Sequence, residues 1–363
     1  AHQYSDEFHN VSILDKDAVL QLAQELNING ILSFGVDPGV VTAAYVAEKM
    51  GLSFQCSYES ACILQDKSRF RQFLKDNDFN VPNAKGYSSK EEALADTAYY
   101  NWPIIVKPVD SAGSKGVTRV DELGQLSSAI DYALSESHNG HFIIEDFLEK
   151  EGNSSDCESF TVDGKLVFCS FNDQHFDSQA LNPYTPAAFS WPSTMPQWAQ
   201  EELMSELQRL MSLLNVKTGV YNIETRLCKN GKPYIMELAP RGGGNRLSEM
   251  MKYISGQDLI DNCVRAAVGD SIDEIHQPVY EGYWVEIILH SERDGVFRSI
   301  EIDKTVEERF LIEKDIWVKA GDKVQGFTGA NTTIGTLVLR FDTNEEMTCC
   351  LSNQERWLKI IVL

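Results

Sequence analysis

The sequence predicts an α/β protein in three parts, and three observations carry that prediction. An apolar run at residues 31–34 is broken by Gly35-Val36-Asp37-Pro38 and followed by a helical pattern over 40–50, one β–α unit of a doubly wound sheet. Two alternating runs flank Asn230-Gly231, the strongest short-range signal for a β-hairpin with a two-residue turn. From residue 283 to 363, short strand patterns and turn signals at Asp294-Gly295 and Gly321-Asp322 predict a small, mostly β part. The chain has 363 residues, enough for two or three separate cores.

Composition narrows the function. The chain is 43% hydrophobic and 24% charged, ordinary values for a soluble globular enzyme. Asp and Glu number 54 against 32 Lys and Arg, a net charge of −22, which opposes nucleic acid or an anionic membrane as the main partner. No apolar run approaches the roughly 20 residues of a membrane span, and no signal-peptide pattern opens the sequence. Eight cysteines with no CxxC pair, several inside apolar strand patterns, predict reduced core thiols and a cytoplasmic protein.

Taken in order, the elements begin with a helix over 16–26. Nothing before residue 31 supplies a full first β–α–β half, so the first part is expected to be small or shortened. A single helix is expected over 60–76, with Lys67 on its polar side and Phe70, Phe73 and Leu74 on the apolar one. A new module begins at Val81-Pro82. Its strand at 104–106 stops at Lys107-Pro108, and the loop Asp110-Ser-Ala-Gly-Ser-Lys-Gly-Val117 leads to a returning strand at 118–120. Asp121 is the expected N-cap of a helix to about residue 137. A strand at 141–144 runs into Glu145-Asp146-Phe147-Leu148, and a hairpin over 160–171 turns at Asp163-Gly164. Residues 182–197 hold Pro183, Pro186, Pro192 and Pro196 and are expected to form an ordered loop over a substrate cleft. Helices follow over 198–214 and 257–267.

The chemistry centres on the hairpin. With Lys229 facing Lys232 across the turn, Leu227 faces Tyr234, Thr225 faces Met236 and Glu224 faces Glu237. One face then suits a core, while the other places two carboxylates roughly 5 Å apart. Facing like charges are destabilising unless a cation lies between them, and magnesium favours carboxylate and phosphate oxygens. Arg241 and Gly242-Gly243-Gly244 follow, where a polyanion would meet a guanidinium and bare backbone N–H groups. A surface hairpin with two solvated glutamates is the plain alternative. Likewise, Lys107 alone is a solvated strand-end lysine, and the loop with Ser111, Gly113, Ser114, Lys115 and Gly116 alone is a mobile turn. That loop is not a Walker A loop, since no GxxxxGK[ST] occurs. Their order raises the functional reading: lysine, glycine loop, Glu145–Leu148, carboxylate pair, arginine.

The motifs FGVDPGVVTAAYVAEKMGL, QDKSRF, PIIVKPVDSAGSKGV, FIIEDFLE, YNIETR and IMELAPRGGG together cover nearly the whole chain. In them it resembles the ATP-grasp superfamily, specifically the carboxylate–amine ligases related to carbamoyl-phosphate synthase and the L-amino-acid ligases. The resemblance implies a truncated Rossmann-like domain over 1–66, a two-lobed α+β ATP-grasp core over 67–275 with a mobile lid at about 98–170, and a β-rich domain over 276–363. It also implies that Lys67 and Lys107 hold the α- and β-phosphates of ATP and that the loop from Asp110 through Ser111, Gly113, Ser114, Lys115 and Gly116 closes over them. Glu145, Asp146, Phe147 and Leu148 would bind adenine, largely through backbone atoms. Glu224 and Glu237 would hold Mg²⁺, with Mn²⁺ as an alternative, and Arg241 would act with Lys107 on the transferring phosphoryl group or the acyl phosphate.

Three departures stand out. Ala239 occupies the position where many relatives carry a metal-ligand Asn, with Asn222 opposite it as a partial replacement. The ribose-binding acid has no clean match, Glu149 and Glu151 being the nearest, and the first strand and turn of the N-terminal domain are missing. The implied reaction takes a small carboxylate, ATP and an amine to a joined product, ADP and phosphate, and it leaves room for a homodimer. The rivals are a purine-pathway, carboxylase-like or carbamoyl-phosphate-synthase-like chemistry, and a catalytically silent ATP-binding module.

Overall fold

The computed structural model describes residues 5–111 and 115–363. Helix Lys16–Leu26 starts where the Asp15 carboxylate accepts the Ala18 N–H, and helix Pro38–Met50 starts with a proline in its first turn. Residues 31–34 between them are extended but form no strand, a correction to the predicted β–α unit. A strand exists only through a neighbour, and among the described residues none pairs with this segment. Instead Leu32 and Phe34 pack on a core cluster, and the Gly35 N–H reaches the Gly242 carbonyl at 3.1 Å.

The expected helix over 60–76 is two helices, Tyr58–Gln65 and Lys67–Asp76. Asp66 is extended between them, and its carboxylate accepts the N–H groups of Ser68 and Arg69. That cap fixes Lys67 at the first helical position, with Arg71 one turn on.

A small antiparallel sheet has the spatial order Ala84–Tyr87, Phe142–Asp146, Ile104–Pro108, Thr118–Val120. Helix Leu123–Ser135 covers it with Leu126, Ala129, Ile130 and Ala133. The N-cap is Glu122 rather than Asp121, whose carboxylate pairs with Arg119 at 2.8 Å. The central sheet runs Pro233–Ala239, Gly219–Leu227, Ser155–Val162, Lys165–Ser170. Helix Gln197–Leu213 lies behind it, burying Ala199, Leu203, Leu207 and Leu210 in the main core. Strands Ser155–Val162 and Lys165–Ser170, expected inside a lid of about 98–170, belong to the hairpin's sheet, the first pairing with Gly219–Leu227 and the second with the first, and the small sheet spans 84–146.

A five-stranded sheet runs Leu311–Ile316, Gly335–Phe341, Tyr283–Leu289, Pro186–Trp191, Asp173–Phe176. It joins residues from both sides of the boundary expected at 275/276. Pro186–Trp191 is a strand inside the stretch expected to be a loop; a proline is tolerated at the first residue of a strand, and Phe189 and Trp191 are fully buried. A last sheet pairs Lys323–Val324, Gly295–Ile302 and Leu358–Val362, and helix Asn344–Ser352 packs nearby.

In the hairpin, Glu237 faces Glu224 and Ala239 faces Asn222, as the alternation predicts. Nearer the turn the pairing differs by one: Ile235 faces Thr225 and Tyr234 faces Arg226, with a bulge between Ile235 and Glu237. The loop has three residues because the Gly231 N–H bonds the Cys228 carbonyl at 2.8 Å and Gly231 takes φ +75°. The bulge absorbs the extra residue, so Ile235 enters the core where Met236 was expected, while Leu238 is buried there as the alternation predicts.

Candidate active site

Lys107, near the end of its strand, is buried, and its ammonium bonds the Glu145 carboxylate on the neighbouring strand. The other Glu145 oxygen accepts from Arg71 Nε at 3.0 Å, and Arg71 also donates to the Met236 carbonyl at 2.8 Å. Burial pushes the Glu145 pKa up, but the nearby Arg71 and Lys107 charges outweigh it and hold the group at about 2. Burial lowers the Lys107 pKa against the pull of Glu145, with Arg71 and Lys67 adding to the lowering.

Lys67 reaches the same place from its helix. Its ammonium donates to the Ser111 carbonyl at 3.0 Å and lies 3.9 Å from Glu237. Partial desolvation opposes the Glu237 charge, but Lys67, Arg241, Lys107 and Arg71 together lower its pKa. Glu224, opposite, is 3.3 Å from Arg226. Side-chain exposures of 34% for Glu224 and 37% for Glu237 leave both carboxylates open to a ligand. Among the described residues no group of three or more His, Cys, Asp or Glu is arranged to hold a metal by itself. A facing pair of this kind fits a hard cation that brings further oxygens, such as those of a polyphosphate.

Strand Ser155–Val162 adds two acids that sequence reasoning missed. Asp156 pairs in register with Glu224, and Glu158 with Asn222. Burial raises both carboxyls to about 7; for Glu158 it outweighs hydrogen bonds from Ser248 and the Gly243 N–H, and for Asp156 it outweighs the Arg241 charge. Asn222 links these groups: its amide donates to Asp156 at 2.7 Å and Glu158 at 3.2 Å, and its carbonyl accepts from Arg241 at 2.9 Å. Those bonds make Asn222 a connector rather than a free replacement for the missing metal-ligand amide.

Arg241 is buried and anchored on Asp37 by Nε and NH2, both at 2.7 Å, as well as on the Gly242 carbonyl. Asp37 arrives from the N-terminal segment; it lies in the motif FGVDPGV, but nothing in the sequence pointed to its pairing with Arg241. At Gly243 a Cβ would lie 2.5 Å from Glu158 Oε1 and 2.9 Å from Asn222 Nδ2, so any side chain there would displace those groups.

The other predicted residues divide. The Ser111 hydroxyl bonds the Glu136 carbonyl, so only its backbone faces Lys67. Gly116 takes φ +70° against Pro108, and Lys115 is exposed. Gly113 and Ser114 lie outside the described residues. The Glu145 side chain serves as a counterion, and that of Asp146 accepts from Asn101 and Asn83. The Asp146 and Phe147 N–H groups bond the Asn83 and Pro103 carbonyls, and among the described residues no backbone carbonyl accepts the Leu148 N–H.

Two clustered lysines beside a carboxylate pair and an anchored arginine can hold a polyphosphate and its counterion. Residues 100–249, which carry most of these groups, match the family model described as the ATP-grasp domain. The chain carries an ATP-grasp domain. It is 25% identical over 274 residues to the carbamoyl phosphate synthase large chain of Ralstonia nicotianae, covering 73% of this chain and 23% of that protein. Against the C-terminal section of the Aquifex aeolicus large chain it is 24% identical over 263 residues, 72% of this chain and 44% of the other. The chain thus spans less than half the length of these relatives. The fold is shared with the L-amino acid ligase of Bacillus licheniformis, at TM-score 0.78 and 20% identity over 96% of this chain and 84% of that one. It is shared too with phosphoribosylglycinamide synthetase of Anaerococcus prevotii, at TM-score 0.73 and 18% identity over 99% and 89%. Among the described residues, no helix of the ATP-grasp chain is long and apolar enough to cross a membrane.

One expected outcome arises here. Lys107→Ala removes a point charge but leaves Glu145 paired with Arg71. Calorimetric titration should show ATP binding weakened at least about tenfold with adenosine binding nearly unchanged. Equal losses for both ligands would make Lys107 a structural residue only.

Proposed function

We propose that the protein is an ATP-dependent, ADP-forming ligase that joins a carboxylate to an amine through an acyl phosphate. The observation that carries this reading is the Glu224–Glu237 pair, with Lys67 3.9 Å from one member and the anchored Arg241 close by. Phosphoryl transfer needs positioning and charge neutralisation more than covalent help, and these groups offer both. Lys67 and Lys107 hold phosphate oxygens, and the Leu148 N–H meets the adenine edge. Mg²⁺ held by Glu224 and Glu237 supplies further neutralisation when bound. Substrate carboxylate attacks the γ-phosphorus and ADP departs; the amine nitrogen then attacks the acyl carbon, and phosphate leaves. Asp37 and Asn222 fix the guanidinium plane of Arg241 so that its remaining N–H faces the oxyanion. The eight free cysteines fit a reducing compartment such as the cytoplasm.

The test is ADP release with MgATP against a panel of carboxylates, with and without amines. Stimulation by one acid, abolished in Glu224→Gln, supports the reading; acid-independent hydrolysis in both proteins would refute it. A second reading follows from the curated relatives, carbamoyl phosphate synthase large chains. It is phosphorylation of bicarbonate, and bicarbonate as the sole stimulating acid would favour it. Arg241→Lys should lose roughly 10²–10³ in kcat under either reading, because an ammonium cannot keep the planar contacts of the guanidinium. Wild-type kcat would remove Arg241 from the chemistry.

A further inference from the structure

A cleft of about 1200 Å³ opens between strands Asp173–Phe176, Pro186–Trp191 and Tyr283–Leu289 of the five-stranded sheet and the C-terminal stretch over 344–362. We propose that this cleft binds the amine of the ligation, a primary amine with an apolar body whose nitrogen lies beside His175. The inference rests on the ligase reading above and names the second substrate's site.

The cleft's position comes first. Asn172 clamps the backbone of Asp156, accepting its N–H and donating to its carbonyl, both at 2.8 Å. The Gln174 N–H reaches the Ser154 carbonyl at 2.8 Å. His175, the next residue, is therefore one strand away from Asp156, the register partner of Glu224. At the mouth, the Lys150 ammonium lies 5.0 Å above the Phe176 ring, and Lys150 bridges to Cys228 at the hairpin loop. The strand that carries His175 thus packs against the strand that carries Asp156.

Its chemistry comes second. The cations that suit an acid or a phosphate, Lys67, Lys107 and Arg241, gather at the site described above and do not line the cleft. The cleft reverses that balance: Asp173, Asp177, Glu292 and Glu355 line it against Arg293 and Lys359. Arg293 is already engaged with the Val362 carbonyl at 2.9 Å. His290 is fixed between the Ile288 carbonyl at 2.7 Å and Asp177 at 3.1 Å. His175 differs: its Nε2 meets the buried Ser190 hydroxyl at 2.8 Å, and among the described residues its other ring nitrogen has no hydrogen-bond partner. Burial lowers its pKa, so the ring is neutral near pH 7 and its second nitrogen can meet an ammonium or amine hydrogen. Met347, Leu351 and Leu358 supply an apolar wall opposite.

Two probes with the same body and opposite charge test this, 2-phenylethylamine and 3-phenylpropionate. With histidine-labelled full-length protein, the ring C–H signals of His175 and His290, assigned through His175→Gln and His290→Gln, should shift saturably with the amine only. Thr348 is exposed on helix Asn344–Ser352, which walls the cleft. Thr348→Trp should weaken amine binding at least tenfold while ATP affinity stays constant. Unshifted His175, equal shifts with the acid, or undiminished binding to the Thr348→Trp protein would each overturn the proposal. Acid-dependent ADP release with unshifted His175 would overturn the cleft alone. Saturable amine shifts without any acid-dependent ADP release would leave amine binding standing and overturn ligation.

Discussion

Glu224→Gln and Glu237→Gln should each lower MgATP-dependent turnover by roughly 10²–10³ while moving the metal-free protein in different directions. Facing carboxylates alone predict relief of repulsion in either variant. The structure breaks that symmetry. Glu237 is surrounded by Lys67, Arg241, Lys107 and Arg71, which lower its pKa despite partial desolvation. A depressed carboxylate contributes stability that is present above its unfolded pKa and lost as pH falls through the folded value. Glu237→Gln should therefore destabilise the protein in EDTA at pH 7, with the difference from wild type shrinking as the solution is acidified. Glu224 has Arg226 on one side but Asp156 and Glu237 in its row, so its glutamine variant should be neutral or slightly stabilised. Urea unfolding in EDTA and steady-state kinetics with Mg²⁺ read the two effects separately. Normal turnover in both variants would end the metal-site reading.

The largest stability effect is expected at Glu145. It is a fully buried counterion shared by Lys107 and Arg71. Removing one partner of a buried ion pair costs about 3–5 kcal/mol, because the other charges stay buried and uncompensated. Glu145→Gln should lose stability on that scale in urea unfolding at pH 7. Since the Glu145 pKa is depressed from 4.5 to about 2, its contribution is intact above pH 4.5 and disappears as pH falls toward 2. The double variant Arg71→Met, Glu145→Leu should recover part of the loss, since apolar replacement removes two of the buried charges together. A Glu145→Gln cost below 1 kcal/mol would show that water reaches the cluster.

What the sequence revealed, and what it hid, follow from the range of each signal. Strict alternation on both sides of Asn230-Gly231 made the Glu224–Glu237 pairing legible, although the bulge at Met236 and the three-residue loop cancel in a way that alternation alone does not show. Lys67 and Lys107 were legible from motif order, and their convergence on the hairpin appears in the Lys67–Glu237 distance. Arg71 had a local signal, one helical turn from Lys67. Asp156 and Glu158 had one too, alternating on a strand in SDCESF, but the pairing of that strand with 219–227 is a long-range choice. Asp37 had none for its partner: its role exists only because the segment 31–37 crosses 204 positions of sequence to meet Arg241. The strand Pro186–Trp191 was hidden by its prolines, which read as a loop until a partner such as Tyr283–Leu289 is known.

The central claim, carboxylate activation as an acyl phosphate, is tested most directly by following oxygen. A stimulating acid carrying ¹⁸O in its carboxylate should be incubated with MgATP and an amine, and the nucleotide and phosphate products read by mass spectrometry. If the carboxylate attacks the γ-phosphorus, one ¹⁸O per turnover appears in inorganic phosphate and the nucleotide product is unlabelled ADP. Label in AMP with release of pyrophosphate, or unlabelled phosphate alongside product formation, would contradict the account.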